Sequence, residues 1–478
     1  MTTMTDRSAS SPAAAARRPG GALLAVLLTG QFMSLLDVNI VNVALPTLRA
    51  DLGASGAGLQ LVVAGYVIAY AVLLVTGARL GALAGPGRMF RIGVTAFTAA
   101  SLACGLAPDT WTLVAFRFAQ GAAAALMLPQ VMSLIQREYT GAARARALGV
   151  FSAVVSGGIV AGQVAGGLLV GADVLGGWRP VFLVNVPVGL ALMLAAPRVL
   201  PRREERGDGG LDLPGLLLLT PAVLALVVPL ILGHELGWPV WGWVSLAASP
   251  VLVALLVVVE RRVAARGGRP LVNLRVLRAP GVPSAAAGVL LGPCTWAAFL
   301  FTTTLHLQGD LGYGPLASGL AFVPCVTAFA LVSTRWQRLP ERWHRPLVPI
   351  GYGVAALGYL FVGPLAGGGP AHLLLTVVIG AGLGVMPIAM NATLAHVPAG
   401  DAADGSGLLL TLTQLGQVIG IATVGTLFLT SAAGPGSTRH AEYATGWALA
   451  AVALLTVVCT LPPALRRRGP RITAPAGS

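Results

Sequence analysis

Two ionisable side chains stand alone inside long apolar stretches. Asp37 lies in GQFMSLLDVNIVNVALP and Arg117 in LVAFRFAQGAAAALMLP. An ion inside hydrocarbon costs at least about 2.5–3.5 kcal/mol on insertion scales, so it persists only with a partner, a wet cavity or a task. With a rise of about 1.5 Å per helical residue, Asp37 sits about 10 Å inside one end of its stretch, and Arg117 lies at matched depth from the same face. Opposite charges at equal depth point to a pair or a shared cavity. The chemistry open to them is proton exchange. A carboxylate beside a guanidinium gives up its proton readily and takes one back when a conformational change or a substrate separates the two or dries the site. At each position a structural reading competes: an ion pair fixing the first helix for Asp37, a cation bonded to helix carbonyls for Arg117.

Other side chains could line a path between such groups. Gln120 follows Arg117 by three residues, so it either borders the same cavity or bonds a neighbouring helix. Asn42 points about 140° away from Asp37 and reads as packing. Trp296, Phe299, Met390, Asn391 and Gln414 are candidates for an adaptable, mainly apolar substrate pocket, with core packing as the alternative at each. His306 stands beside Gln308 and Asp310 at a segment boundary, where solvation accounts for it.

The elements that position these residues are transmembrane helices. Of 478 residues, 56% are hydrophobic and 10% charged, and the mean hydropathy is +0.81. That is more apolar surface than one soluble core hides, so the bilayer is the solvent. Fourteen apolar segments suit a hydrocarbon layer of about 30 Å: 22–44, 59–80, 90–107, 111–133, 147–170, 180–199, 211–232, 240–258, 284–305, 316–334, 346–364, 371–392, 405–429 and 444–465. The first is too long for a cleaved signal core and runs through Asp37 without a cleavage pattern. The chain has no lysine, and alternating the loops from a cytoplasmic N-terminus places 27 of its 31 arginines on the inside. This asymmetry orients both termini to the cytoplasm. It also explains the net charge of +14 without nucleic acid, whose footprint would cluster on one soluble face. The expected location is the bacterial cytoplasmic membrane. Cys104, Cys294, Cys325 and Cys459 fall within segments and read as buried free thiols, with no disulfide, metal or cofactor.

Offsetting the chain against itself by 258 residues aligns Pro129 with Pro387, Met132 with Met390 and Gly149 with Gly407. Gly158, Gly162 and Gly167 then match Gly416, Gly420 and Gly425. The register indicates duplicated halves. It divides the chain into an N-terminal tail (1–21), a six-helix bundle (22–199), a linker with two extra helices and an interfacial segment (200–283), a second six-helix bundle (284–465) and a C-terminal tail (466–478). Within this frame Gly158, Gly162, Gly166 and Gly167 serve close helix packing, at a rocking interface or a static one. Arg88 is a gating candidate in the loop between the second and third segments.

Several motifs resemble the fourteen-span drug:proton antiporter family of the major facilitator superfamily over nearly the whole chain. LDVNIVNVALP (Leu36–Pro46) resembles its span-1 signature, with Asn39 where Thr is usual. Arg117, Gln120 and Gly121 resemble the span-4 motif whose arginine is implicated in proton coupling. GWRPVFLVNVPVG (Gly177–Gly189) resembles the start of span 6, and RPLVNLRVL the stretch before span 9. Two departures stand out: Ala82 replaces the usual Asp between spans 2 and 3, and Gly162 is followed by Gln163 instead of Pro.

The resemblance implies an all-α major facilitator fold of two six-helix bundles plus two central inserted helices. It implies a proton-coupled secondary transporter, not an enzyme, that exports a small amphipathic compound as a monomer in the lipid bilayer. Its drive is the proton gradient, and Asp37 and Arg117 are the coupling residues. The alternatives are metabolite uptake or uniport on the same fold, and a membrane sensor that transports nothing.

Overall fold

The computed structural model of the chain describes residues 21–172, 175, 177–201, 213–233, 235–268, 270, 276, 282–344, 346–394, 397, 402–432 and 438–465. The expected tails and most of the expected interfacial segment before residue 282 lie outside these. The described elements are helical throughout, as they must be where hydrocarbon offers no partner to a free peptide group.

The first half comprises α1 (Gly21–Leu52), α2 (Gly56–Ala84), α3 (Pro86–Gly105), α4 (Thr110–Glu138), α5 (Gly141–Gly171), α6 (Arg179–Leu183) and α7 (Asn185–Val199). Local chemistry starts these helices where they begin. Ser55 accepts from Gly58 N and caps α2, Asp109 accepts from Trp111 N and Thr112 N to cap α4, and Pro86 occupies the first position of α3, where its missing N–H costs nothing. Between α2 and α3, Gly85 adopts φ 97°, a conformation that favours glycine and lets the chain reverse at once. The central pair is α8 (Leu213–Leu232) and α9 (Val240–Ala265).

The second half repeats the first with broken helices: α10 (Val282–Gly309), α11 (Pro315–Ala321), α12 (Val323–Arg335), the short α13 (Glu341–His344), α14 (Leu347–Leu360), α15 (Gly369–Leu383), α16 (Met386–Leu394), α17 (Ala402–Gly420), a π-helical segment (Ile421–Gly425), α18 (Thr426–Ala432) and α19 (Thr438–Leu465). Packing follows the 258-residue offset. Where α1 packs on α5, α10 packs on α17; where α3 packs on α4 and α7, α14 packs on α15 and α19. The halves meet through α2 against α17 and α5 against α11.

The glycines explain the close pairs. A Cβ at Gly162 would lie 3.0 Å from Leu36 O, and one at Gly420, its offset partner, 2.1 Å from Cys294 O. Small residues here let helix backbones approach without hydrophobic drive.

Twelve helices among the described residues are long and apolar enough to cross a membrane. α3 and α14 fall below that measure, yet they coincide with the other two expected segments, 90–107 and 346–364. Polar residues such as Arg88 and Arg91 dilute the first, and the second is only 14 residues long. α9 leaves Trp243, Val244 and Val251 exposed, whereas α8 packs on both α9 and α2.

Candidate functional site

Asp37 has no exposed surface, and its carboxylate accepts three hydrogen bonds. Arg117 Nη1 donates to Oδ2 at 2.5 Å. Oδ1 accepts from Gln120 Nε2 at 2.7 Å and from Asn185 Nδ2 at 2.8 Å. One turn of α4 therefore supplies two of the donors, because residues three apart share a helix face. The third comes from the first residue of α7, where the helix restarts after α6. Arg117 is equally enclosed. Its Nε donates to Val62 O at 2.9 Å, Nη1 also reaches Gln120 Oε1 at 2.7 Å, and its guanidinium lies 4.6 Å above the Tyr66 ring. Gln120 extends the network to Ser101 Oγ at 2.8 Å, and Tyr66 shares a 2.6 Å bond with Ser34. Five helices thus converge on one buried ion pair, and charge-assisted bonds of this kind are the strong ones.

At the end of the bundle where α1 finishes at Leu52, the halves are joined. Gln60 of α2 donates to Ile421 O at 3.1 Å and shares contacts with Thr426 Oγ1. Gln308 of α10 donates to Val43 O at 2.9 Å. A Cβ on Gly167 would lie 2.9 Å from Pro315 O. The central pair takes part as well. Leu230 O accepts from Thr426 at 3.2 Å, and Glu235 accepts from Ala57 N at 2.7 Å. The π-helical segment falls at this joint, a distortion frequent at functional sites. A cavity of about 400 Å³ opens here, lined among others by Arg49, Gln60, Glu235, Thr430 and Thr438.

Residues 27–421 match the family described as Major Facilitator Superfamily. The chain belongs to the major facilitator superfamily. It is similar to the "Probable actinorhodin transporter" of Streptomyces coelicolor, 36% identical over 435 residues, covering 88% of this chain and 74% of that one. It is also similar to the "Cephamycin export protein CmcT" of Amycolatopsis lactamdurans, 35% identical over 465 residues, covering 94% and 93%. The inward open structure of the xylose transporter XylE from E. coli superposes with a TM-score of 0.64 at 13% identity, covering 95% of this chain and 98% of that one, which shows the shared fold. The protein is a multi-pass membrane transporter and not an enzyme, and drug exporters of this superfamily need no cofactor and are driven by an ion gradient.

The remaining sequence candidates of this transporter do not gather at one place. Phe299 is enclosed edge-on by Phe322 and Tyr359, so it serves the core of the second half. Trp296 stacks on Phe329 at 5.4 Å. Met390 joins a separate cluster with Ala286, Val289 and Leu409, Asn391 is exposed, and Gln414 accepts from Gln417 on the same helix at 2.8 Å. Gln120, expected to border a substrate cavity or bond a helix, does the latter. Gly158, Gly162 and Gly166 face α1, Gly167 faces α11, and Arg88 is exposed in the first turn of α3. His306 corrects the sequence reading: it is buried, with Thr438 Oγ1 at 2.7 Å and Ala366 O at 2.7 Å, because α10 extends past the expected boundary to Gly309.

Two further residues are placed by the structure and not by the sequence pattern. Asn185 sits inside a quoted motif, and its polar amide within an apolar run was the available signal. Glu442 is 1% exposed within α19, whereas the expected segment began at residue 444.

Proposed function

We propose that this transporter exports a small amphipathic organic compound from the bacterial cytoplasm in exchange for protons, with Asp37 and Arg117 as the coupling pair. The single observation that carries the reading is the buried Arg117–Asp37 contact at 2.5 Å, an ion pair held where only a working or fully partnered charge survives. The names of its relatives, an actinorhodin transporter and a cephamycin export protein, support the substrate class and direction.

In this reading both termini are cytoplasmic, the Leu52 end faces outward, and a monomer works by rocking the bundle 22–199 against the bundle 284–465, with 200–283 as a linker. Joined at the outer end, the transporter is poised to load from the cytoplasm. Separating α4 from α1 would leave the carboxylate without its guanidinium, and uptake of a proton then neutralises it. One charge moving through 100 mV releases about 2.3 kcal/mol, enough to drive a finite substrate gradient.

Proteoliposomes loaded with a pH-sensitive dye test this with actinorhodin and a cephamycin as probes. Substrate addition should drive protons the opposite way, and Asp37→Asn should abolish that flux. Coupled flux unaltered by Asp37→Asn and Arg117→Ala would remove the pair from the mechanism. Accumulation indifferent to collapse of the gradient would mean uniport.

A further inference from the structure

The second half contains a carboxyl group that the coupling pair does not use. Glu442 is 1% exposed, and neither of its carboxyl oxygens has a hydrogen-bond partner among the described residues. An ionised carboxylate enclosed without a partner carries a desolvation penalty of several kcal/mol, so such a group is held as the neutral acid.

Its place in the fold gives that proton a route. Thr438, one turn earlier on the same face of α19, lines the cavity at the Leu52 end together with Leu305, Gly309 and Thr430. One helical turn is about 5.4 Å, so parting the halves at that end by a comparable amount brings water to Glu442. The 258-residue offset adds a second observation. Subtracting it places Glu442 at Val184, next to Asn185, whose amide holds Asp37, while Tyr359 maps to Ser101 and Thr295 to Asp37 itself. The counterpart of Asn185 itself is Tyr443, so Glu442 lies one residue from the position that, in the first half, holds the carboxylate.

We propose that Glu442 is a second proton-binding site of this transporter, filled while the Leu52 end is closed and emptied when that end opens to water. On opening, the O–H bond of the carboxylic acid breaks and its proton passes to water, leaving carboxylate and hydronium. On closing, the reverse occurs. The elements packed on α19 supply no counter-ion. α10 carries His306, whose ring nitrogens contact Thr438 and Ala366, and Cys294. α14 carries Tyr352, which donates to Gly288 O at 3.2 Å, and Tyr359. α18 and the π-helical segment carry no titratable residue. On α19 itself Arg439, His440 and Tyr443 are the neighbours, and none forms an ion pair with Glu442 among the described residues.

The test uses full-length protein in nanodiscs, where both faces share one pH and neither orientation nor transport enters. Thr430→Cys, in a background with the four native cysteines replaced by Ala, reports opening through its rate of labelling by a hydrophilic maleimide. Raising the pH from mildly acidic to mildly alkaline should speed labelling, relative to the same reporter with Glu442→Gln, by up to about tenfold per pH unit. Identical pH dependence with and without the Glu442→Gln substitution would overturn the proposal. Should Glu442→Gln fail to fold, the wild type answers by itself. Dicyclohexylcarbodiimide, which requires a neutral acid, should modify Glu442 faster at acidic than at alkaline pH, as mapped by peptide mass. No adduct at Glu442, or a rate indifferent to pH, overturns it equally.

Discussion

Asp37 and Glu442 are both enclosed acidic side chains, one in each half, and they differ in every neighbour. Three side-chain donors from two other helices converge on Asp37, whereas none reaches Glu442 among the described residues. The offset positions show how the halves diverged: Thr295, Tyr359 and Leu375 stand where the first half has Asp37, Ser101 and Arg117. The first half can hold a charge in the membrane because it also supplies the opposite charge. The second half, lacking the guanidinium, can bury only a neutral acid. Two halves packed in corresponding ways thus hold two carboxyl groups in two electrostatic settings.

The largest effect expected from breaking this contrast is at Arg117. Arg117→Ala leaves Asp37 with two amide donors and no counter-ion, and removing one partner of a buried pair costs about 3–5 kcal/mol. Thermal unfolding of the purified protein should show it, together with loss of substrate-driven proton flux. Asp37→Asn added to Arg117→Gln should recover much of the stability while flux stays absent, because the double variant buries no lone charge. If the double variant is as unstable as Arg117→Ala, shape and not charge balance is what the site requires.

Asn185→Ala comes next. Hydrogen bonds to charged groups contribute about 1.5–3 kcal/mol to stability, so losing this donor should lower the unfolding midpoint, by less than Arg117→Ala does. An unchanged midpoint would make Asn185 a bystander. This residue also shows where sequence reasoning ended. The Asp37–Arg117 pair was legible because helical rise converts sequence distance into depth, and depth matched. Asn185 was not, because its approach to Asp37 depends on a helix that stops at Leu183 and restarts at Asn185, a break that no periodicity announces. Glu442 was missed for a simpler reason: an apolar run drawn from residue 444 excludes the charge that lies just inside the helix. The duplicated glycine register was readable, since small residues at fixed spacing have one common physical use. Pocket candidates such as Phe299 were not separable, because an aromatic residue facing the core and one facing a substrate share the same spacing.

The glycine register sharpens the comparison of the halves in packing. A Cβ at Gly420 would meet the backbone oxygen of Cys294 at 2.1 Å, whereas one at Gly158 would meet the side chain of Leu35 at 3.0 Å. The first contact is a hard clash with backbone, whereas the second, to the Leu35 Cβ, is only a few tenths of an ångström too close. Gly420→Ala should therefore destabilise by about 1–3 kcal/mol, and Gly158→Ala by clearly less, as read from paired unfolding midpoints. Equal losses would mean that α1–α5 is as rigidly seated as α10–α17.

Asp109 provides a third carboxylate, outside the membrane segments and solvated, on which the smallest effect is expected. The Thr112 hydroxyl donates to it at 2.6 Å and the Thr112 and Trp111 amides at 2.9 Å. The hydrogen bonds from Thr112 come first in holding this carboxyl below its ordinary value. A depressed carboxyl adds stability at pH values above its unfolded value of about 3.9, and that contribution is lost as the pH falls through the folded value. Asp109→Asn keeps a competent cap and removes only the charge. The unfolding midpoint of the variant should therefore lie slightly below that of the wild type at neutral pH and converge with it in acid. Asp109 accepts as many hydrogen bonds as Asp37 but has neither its burial nor its guanidinium partner. A loss at Asp109 as large as that at the Asp37 pair would mean that donor number alone sets the cost, and the contrast between Asp37 and Glu442 would no longer follow from burial.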